Sequence, residues 1–114
     1  MIQKKTLKNY TPSILKMVYK ISEKAIEDIN SIWVYTAENW SKIQADRYYN
    51  LIFDEIEFIA ENFESGKDVN AVRKGYRYSK VKSHLLFYKK SKDGMIEIIR
   101  VLHQRMDIES RLKE

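Results

Sequence analysis

The apolar residues of this chain change period near Gly66, and that change divides the predicted architecture. From Ile26 to Phe63 they recur every three or four positions, the spacing that aligns side chains on one face of an α-helix. Ile26, Ile29, Trp33, Ala37 and Trp40 form a first stripe, with Glu23, Glu27, Asp28 and Glu38 largely off it. Ala45, Tyr49, Ile52, Ile56, Ile59 and Phe63 form a second. Ser22 is placed to cap the first helix, because a serine oxygen accepts from the orphaned amides of an opening turn. Ser41 with Gln44 three residues on makes a capping box for the second. Ser65-Gly66 supplies a break, which puts the helix end near Phe63. Almost no linker separates the stripes, so the two helices are predicted to fold back as an αα-hairpin.

Before the first helix, Val18 to Ile21 reads as a short strand. Beyond Gly66, Arg73 to Lys80, Ser83 to Lys90 and Met95 to His103 read as three more, rich in Val, Ile, Tyr and Phe. Lys92-Asp93-Gly94 is a hairpin turn, since Asp-Gly tolerates the positive φ that tight turns require. Strict alternation in the last strand places Ile96, Ile98, Arg100 and Leu102 on one face and Glu97, Ile99, Val101 and His103 on the other. Both sets are mostly apolar, which predicts a central strand covered at least partly on both sides. Asp107 then caps a short terminal helix. The order is β-α-α-β-β-β-α, an α+β fold: an antiparallel sheet with an N-terminal helical hairpin packed on one face.

Length allows one core. It is assigned to residues 17–114, because residues 1–16 hold four lysines, the sole proline Pro12 and no sustained periodicity. They read as an extension, flexible or partly docked, and Met17 behind them is a candidate start of translation. The absence of cysteine excludes disulfides, thiolate zinc sites and a cysteine nucleophile. No stretch approaches the roughly 20 apolar residues of a membrane span and no signal peptide is evident, so a soluble, cytoplasmic protein is expected. No metal cluster and no phosphate-cradling glycine loop is evident, and no cofactor is expected.

Charge sharpens this picture. Residues 17–66 carry four basic and ten acidic side chains, whereas residues 73–105 carry ten basic and two acidic. The helical hairpin is thus predicted to be acidic and the sheet basic, a polarity that steers an anionic partner to one face.

Particular strings resemble the RelE/ParE toxin superfamily of type II toxin–antitoxin systems, and its ParE branch most closely. They are Tyr19-Lys20-Ile21-Ser22, Trp40 followed by Gln44-Ala45 and Tyr48-Tyr49, and Arg73-Lys74-Gly75-Tyr76-Arg77. Ser83-His84-Leu85-Leu86-Phe87-Tyr88 and Arg100-Val101-Leu102-His103-Gln104-Arg105-Met106-Asp107 complete the set. The resemblance runs from about Val18 to Leu112. It implies a toxin that inhibits DNA gyrase by stabilising its DNA-cleaved state, and a cognate antitoxin whose tail wraps around it. Nucleic acid would be met only through antitoxin or gyrase. The same fold also carries RelE-type ribosome-dependent mRNA endoribonucleases, and an inactive remnant kept as antitoxin partner or co-repressor is a third reading.

Each reading selects different residues. Cleaving RNA needs an acid, a base and cations at the scissile phosphate. His84, Tyr88, Arg77, Arg100 and His103 are the candidates, histidine being the side chain that ordinarily titrates near neutrality. The structural alternative makes the histidines strand-end residues and gives Arg100 an ion pair with Asp107 or Glu97. For partner binding, Arg73, Lys74, Tyr76 and Arg77 mix the residue types that dominate interface hot spots, and Arg105 extends the cationic set. Lys89, Lys90 and Lys92 are better explained as solubilising a turn. A helical antitoxin tail would need a groove between hairpin and sheet. Trp33, Trp40, Tyr48 and Tyr49 are expected at or near it, with core filling as the alternative.

Overall fold

The computed structural model describes residues 19–113, so the proposed extension at residues 1–16, the candidate start at Met17 and the strand position of Val18 lie outside the described residues. The described chain runs β1 (Tyr19–Ile21), α1 (Glu23–Asn39), α2 (Lys42–Glu61), a 3-10 turn (Phe63–Ser65), β2 (Lys67–Asp68), β3 (Arg77–Val81), β4 (His84–Lys90), β5 (Ile96–His103) and α3 (Ile108–Leu112). The sequence-predicted caps all form. Ser22 Oγ accepts from the Ala25 amide at 3.0 Å, Ser41 Oγ from Gln44 at 3.1 Å, and Asp107 Oδ1 from Ser110 at 3.3 Å. Ser22 also donates to the Ile99 carbonyl at 2.8 Å, fastening the start of α1 to β5.

The sheet order is β1-β5-β4-β3-β2. Its pairs are antiparallel except at the edge, where β1 lies parallel to β5 with Tyr19 beside Ile96 and Ile21 beside Ile98. The helical hairpin covers one face. There Ala25, Ile29, Ile52, Phe53, Ile56 and Ile59 pack on Leu86, Tyr88, Ile96, Ile98 and Val101. On the other face a smaller cluster, Tyr76, Phe87, Leu102 and Leu112, lies under the 69–76 loop and α3. At the rim Tyr88 is fully buried, and its hydroxyl donates to the Phe63 carbonyl at 2.7 Å while accepting from Gly66 N–H at 3.0 Å. Gly66 must lack a side chain there, because a Cβ would strike the Tyr88 ring and hydroxyl and sit 2.7 Å from the Tyr78 carbonyl.

Three expectations change. First, β3 begins at Arg77 rather than Arg73. Gly75, at φ +85°, closes a turn in which its amide donates to Asn70 Oδ1 at 2.8 Å and Val69 N–H reaches the Tyr76 carbonyl at 2.9 Å. Second, this turn leads back from a two-residue strand, β2, too short to leave a periodic signal. Third, the alternation along β5 breaks. Tyr88 faces Ile98 but Phe87 faces Arg100, leaving Ile99 as the extra residue of a bulge. Beyond it the faces exchange, so Val101 joins Ile96 and Ile98 under the helices while Leu102 turns to the smaller cluster.

Candidate functional site

An open groove of about 800 Å³ runs between the helical hairpin and the junction of β4 and β5. Ile32, Tyr35 and Trp40 form its α1 wall, and Arg47, Tyr48 and Leu51 its α2 wall. Opposite stand Lys82 and His84 from the β3–β4 hairpin, then Val101, His103 and Met106 at the end of β5. The groove lies where β5 continues past the end of β1. It is apolar and open. Trp40 is 70% exposed, Tyr35 63%, Met106 42% and Leu51 40%. Side chains of this size are seldom left together in water without a partner.

A histidine pair floors the groove. The Tyr48 hydroxyl donates to the Val81 carbonyl at 2.8 Å and lies 2.7 Å from His84 Nδ1. A phenol has one proton and a carbonyl cannot donate, so His84 Nδ1 must carry the proton shared with Tyr48. That proton fits both the imidazolium and the neutral ring with a bare Nε2, and the pKa selects the neutral form. Burial, followed by the charge of His103, pushes the pKa of His84 down to about 4, and burial pushes that of Tyr48 up. The two imidazoles meet edge to face with centroids 5.2 Å apart, and His103 Nδ1 accepts from the Arg105 amide at 3.1 Å.

Lys82 stands at the lip in an unusual conformation. Val81 and His84 pair directly, so Lys82-Ser83 is a two-residue hairpin loop, and Lys82 has φ +54°. A glycine takes that position without steric cost, whereas a lysine does not. Among the described residues no carboxylate pairs with Lys82 or Arg47. Among the described residues that line the groove the only acid, Asp28, is already committed. It takes Arg100 Nε at 2.8 Å, Arg100 Nη2 at 3.0 Å and the Val101 amide at 2.9 Å. The groove thus combines apolar walls with unmatched positive charge at its rim.

The sequence-predicted residues separate into distinct places. Trp40 and Tyr48 line the groove, and Tyr48 does so from half-burial. Trp33 does not line it: it packs between the helices, with Nε1 donating to Asp46 Oδ1 at 2.9 Å. Tyr49 is a core residue, 8% exposed with its ring tilted against that of Phe53, because it shares the buried stripe of α2. Tyr76 is likewise buried, at 7% exposure, while Lys74 is exposed in the turn beside it. Arg73 and Arg77 are held by backbone carbonyls, Arg73 by Leu112 and Arg77 by Gly66, each at 2.6 Å. Arg105 is exposed just past β5.

Of the nuclease candidates, Tyr88 is locked at the rim of the core and Arg100 is bound to Asp28. The expected partners of Arg100, Asp107 and Glu97, do not take it. Asp107 caps α3, and β1 stops at the level of Ile98, which leaves the β5 edge open for α1 to bring Asp28 against it. His84 and His103 do come together. Tyr35, Leu51, Arg47 and Lys82 were not anticipated. Their signal was available, since Tyr35 and Leu51 are large apolar residues lying off the buried stripes. Among the described residues there is no cluster of three metal-ligating side chains, and no helix long and apolar enough to cross a membrane.

Comparison with known proteins places this arrangement. The family described as "ParE toxin of type II toxin-antitoxin system, parDE" matches residues 19–108. Toxin ParE1 of Mycobacterium tuberculosis is 36% identical over 94 residues, covering 82% of this chain and 96% of the relative. Toxin ParE1 of Caulobacter vibrioides is 37% identical with the same coverage of each. A solved structure titled "Chromosomal ParDE TA system from P. aeruginosa" superposes with a TM-score of 0.65 over 76% of this chain and 95% of that one. Its sequence identity is 18%, so it speaks for the fold alone.

Proposed function

The chain belongs to the ParE toxin family of type II toxin–antitoxin systems, and from that membership we propose that it inhibits DNA gyrase by stabilising the DNA-cleaved state. A cognate antitoxin holds it inactive by laying an amphipathic tail in the groove. The observation that carries the antitoxin half is the exposed line of Tyr35, Trp40, Leu51 and Met106 along one groove. An amphipathic helix buries its apolar anchors in such a trough. Acidic side chains on its flanks would meet Arg47 and Lys82, giving orientation and a fast encounter. The toxin acts in the cytoplasm, where gyrase and its DNA are.

Binding rather than catalysis is the mode of action in this reading. Tyr88 and Arg100 spend their polar atoms inside the fold, and His84 spends its Nδ1 there. A neutral, half-buried His84 is a poor source of the positive charge that a phosphorane-like transition state needs. The paired histidines are nevertheless what a nuclease reading would use, and the test separates the two. Purified toxin is added to gyrase, ATP and relaxed plasmid, and supercoiling and protein-linked linear DNA are scored. Loss of supercoiling with linear DNA accumulating, both reversed by antitoxin, is the expected result. His103→Ala should leave that activity intact. Gyrase untouched at large toxin excess overturns the proposal, and ribosome-dependent mRNA cleavage abolished by His103→Ala would replace it.

A further inference from the structure

The far end of the sheet from the groove has a construction that antitoxin binding in the groove leaves unused. Two aromatic rings there each carry two cations. Tyr76 has Arg73 Cζ at 5.2 Å and Lys89 Nζ at 5.8 Å from its ring centre. Phe63 has Arg77 Cζ at 5.3 Å and Lys90 Nζ at 4.7 Å. The strand register fixes which way each pair points. Phe63 packs edge-on against Tyr88 on the helix-covered face, and Arg77 lies opposite Tyr88 in the β3–β4 ladder. Tyr76 belongs with Phe87 to the cluster on the other face. Side chains alternate along a strand, so Lys89 and Lys90 leave β4 on opposite faces. The four cations therefore clamp one end of the same two strands from both sides, forming a ridge instead of a flat patch.

Their charge is not neutralised. Both guanidiniums donate to uncharged backbone carbonyls, and a ring face attracts a cation without cancelling it. Among the described residues no carboxylate forms an ion pair with any of the four. Holding the long side chains against rings also removes part of the entropy they would lose on meeting a ligand. The ridge is thus a preorganised anion-binding surface.

The neighbourhood selects the kind of anion. A protein partner needs exposed apolar or aromatic anchors beside the charges. Among the described residues the exposed large apolar ones are Val34, Tyr35, Trp40, Ile43, Leu51, Phe58 and Met106, on the helical hairpin or after β5, and none of these stands on the ridge. A phosphate backbone needs only cations, and duplex DNA presents about one charge per 1.7 Å of its axis. We propose that the Arg73–Arg77–Lys89–Lys90 ridge binds the phosphate backbone of duplex DNA directly and without sequence preference. The choice of DNA over other phosphate polymers rests on the gyrase reading above, and it would let one toxin touch enzyme and DNA together.

The test uses the full chain and a fluorescent 30-base-pair duplex of arbitrary sequence, with no gyrase present, titrated between about 50 and 200 mM salt. Binding should weaken with a log–log salt slope of about −2 to −4, the range for two to four phosphate contacts. Lys89→Gln with Lys90→Gln should flatten that slope by about 2 and weaken binding about tenfold or more. Lys89→Arg with Lys90→Arg should preserve both. Lys24→Gln with Lys42→Gln removes the same net charge from the helical hairpin and should change neither. Equal losses from the two Gln pairs would reduce the effect to net charge and overturn the proposal, as would no binding at 50 mM salt. Displacement of the DNA by an acidic polypeptide at matched charge concentration would also overturn it, in favour of a protein ligand. The unmodified toxin is then carried into the supercoiling assay. Gyrase inhibition by a toxin that binds no duplex keeps the gyrase reading and sinks this one, whereas duplex binding with gyrase untouched does the reverse.

Discussion

The two faces of the sheet are built to different standards. Under the helical hairpin, Leu86, Tyr88, Ile96 and Ile98 are sealed to 1% exposure or less, and a bidentate ion pair ties α1 to β5. Across the sheet, four buried residues lie beneath a loop and a five-residue helix. Arginine shows the contrast most directly. Arg100, tied to α1, has its charge answered by a carboxylate; Arg73, across the sheet from the hairpin, is held by a carbonyl and a ring with its charge left outward-facing. Stability is concentrated on one face, which leaves the other and the sheet ends free to carry charge for partners.

The largest expected effect comes from cutting the tie. Asp28→Ala strands a buried guanidinium and the Val101 amide, and should cost about 3–5 kcal/mol in denaturant unfolding. A loss under 1 kcal/mol would mean the pair contributes nothing to the better-built face. Next comes a neighbouring pair. Leu86→Ala, fully buried beneath the helices, should cost about 2–4 kcal/mol, and half-buried Leu85→Ala no more than about 1.5. Equal costs would erase the difference between faces.

Acid probes the groove end of the same face. His84 is neutral when folded, with a pKa near 4, and titrates near 6.5 when the chain unfolds. Between those values the unfolded state binds more protons, so stability is full above pH 6.5 and declines as pH falls towards 4. The decline should be about 1–3 kcal/mol, and His84→Asn, which keeps a donor at the Nδ1 position, should flatten it. An unchanged pH profile in that variant would assign the acid sensitivity to other groups. The smallest expected effect is a gain. The Tyr49 hydroxyl is buried without a hydrogen-bond partner, and burial raises its pKa to about 12. Tyr49→Phe should therefore raise stability by up to about 1 kcal/mol, read as a higher melting temperature.

What the sequence disclosed was what short range decides. The caps at Ser22, Ser41 and Asp107 and the α2 stripe were legible because each involves residues within a turn or two. The β5 faces were misread past Ile98 because a bulge is a negotiation between two strands, and the fault sits opposite Phe87, thirteen residues away in the other strand. Asp28 was invisible as the partner of Arg100 for a similar reason, since the two lie 72 residues apart and meet only where β1 ends. The groove itself was foreseen, yet its four expected aromatics divided evenly. Periodicity ranks a residue as stripe or non-stripe, and it counted Tyr49 and Trp33 alongside Trp40, which in fact caps the end of α1 and swings into solvent.

The parallel edge of the sheet also governs how the protein comes into being. β1 docks on β5, and the Ser22–Ile99 bond that secures the junction spans 77 residues. Contacts this remote are slow to form and cannot begin until their second half exists. At a synthesis rate of roughly 5–20 residues per second, the hairpin leaves the ribosome seconds before its sheet is complete. During that interval its apolar stripe is uncovered. Val101 and His103, which close the groove, are still missing. A nascent or truncated chain that stops short of β5 therefore has neither a finished core nor a complete groove, and the last third of translation supplies both.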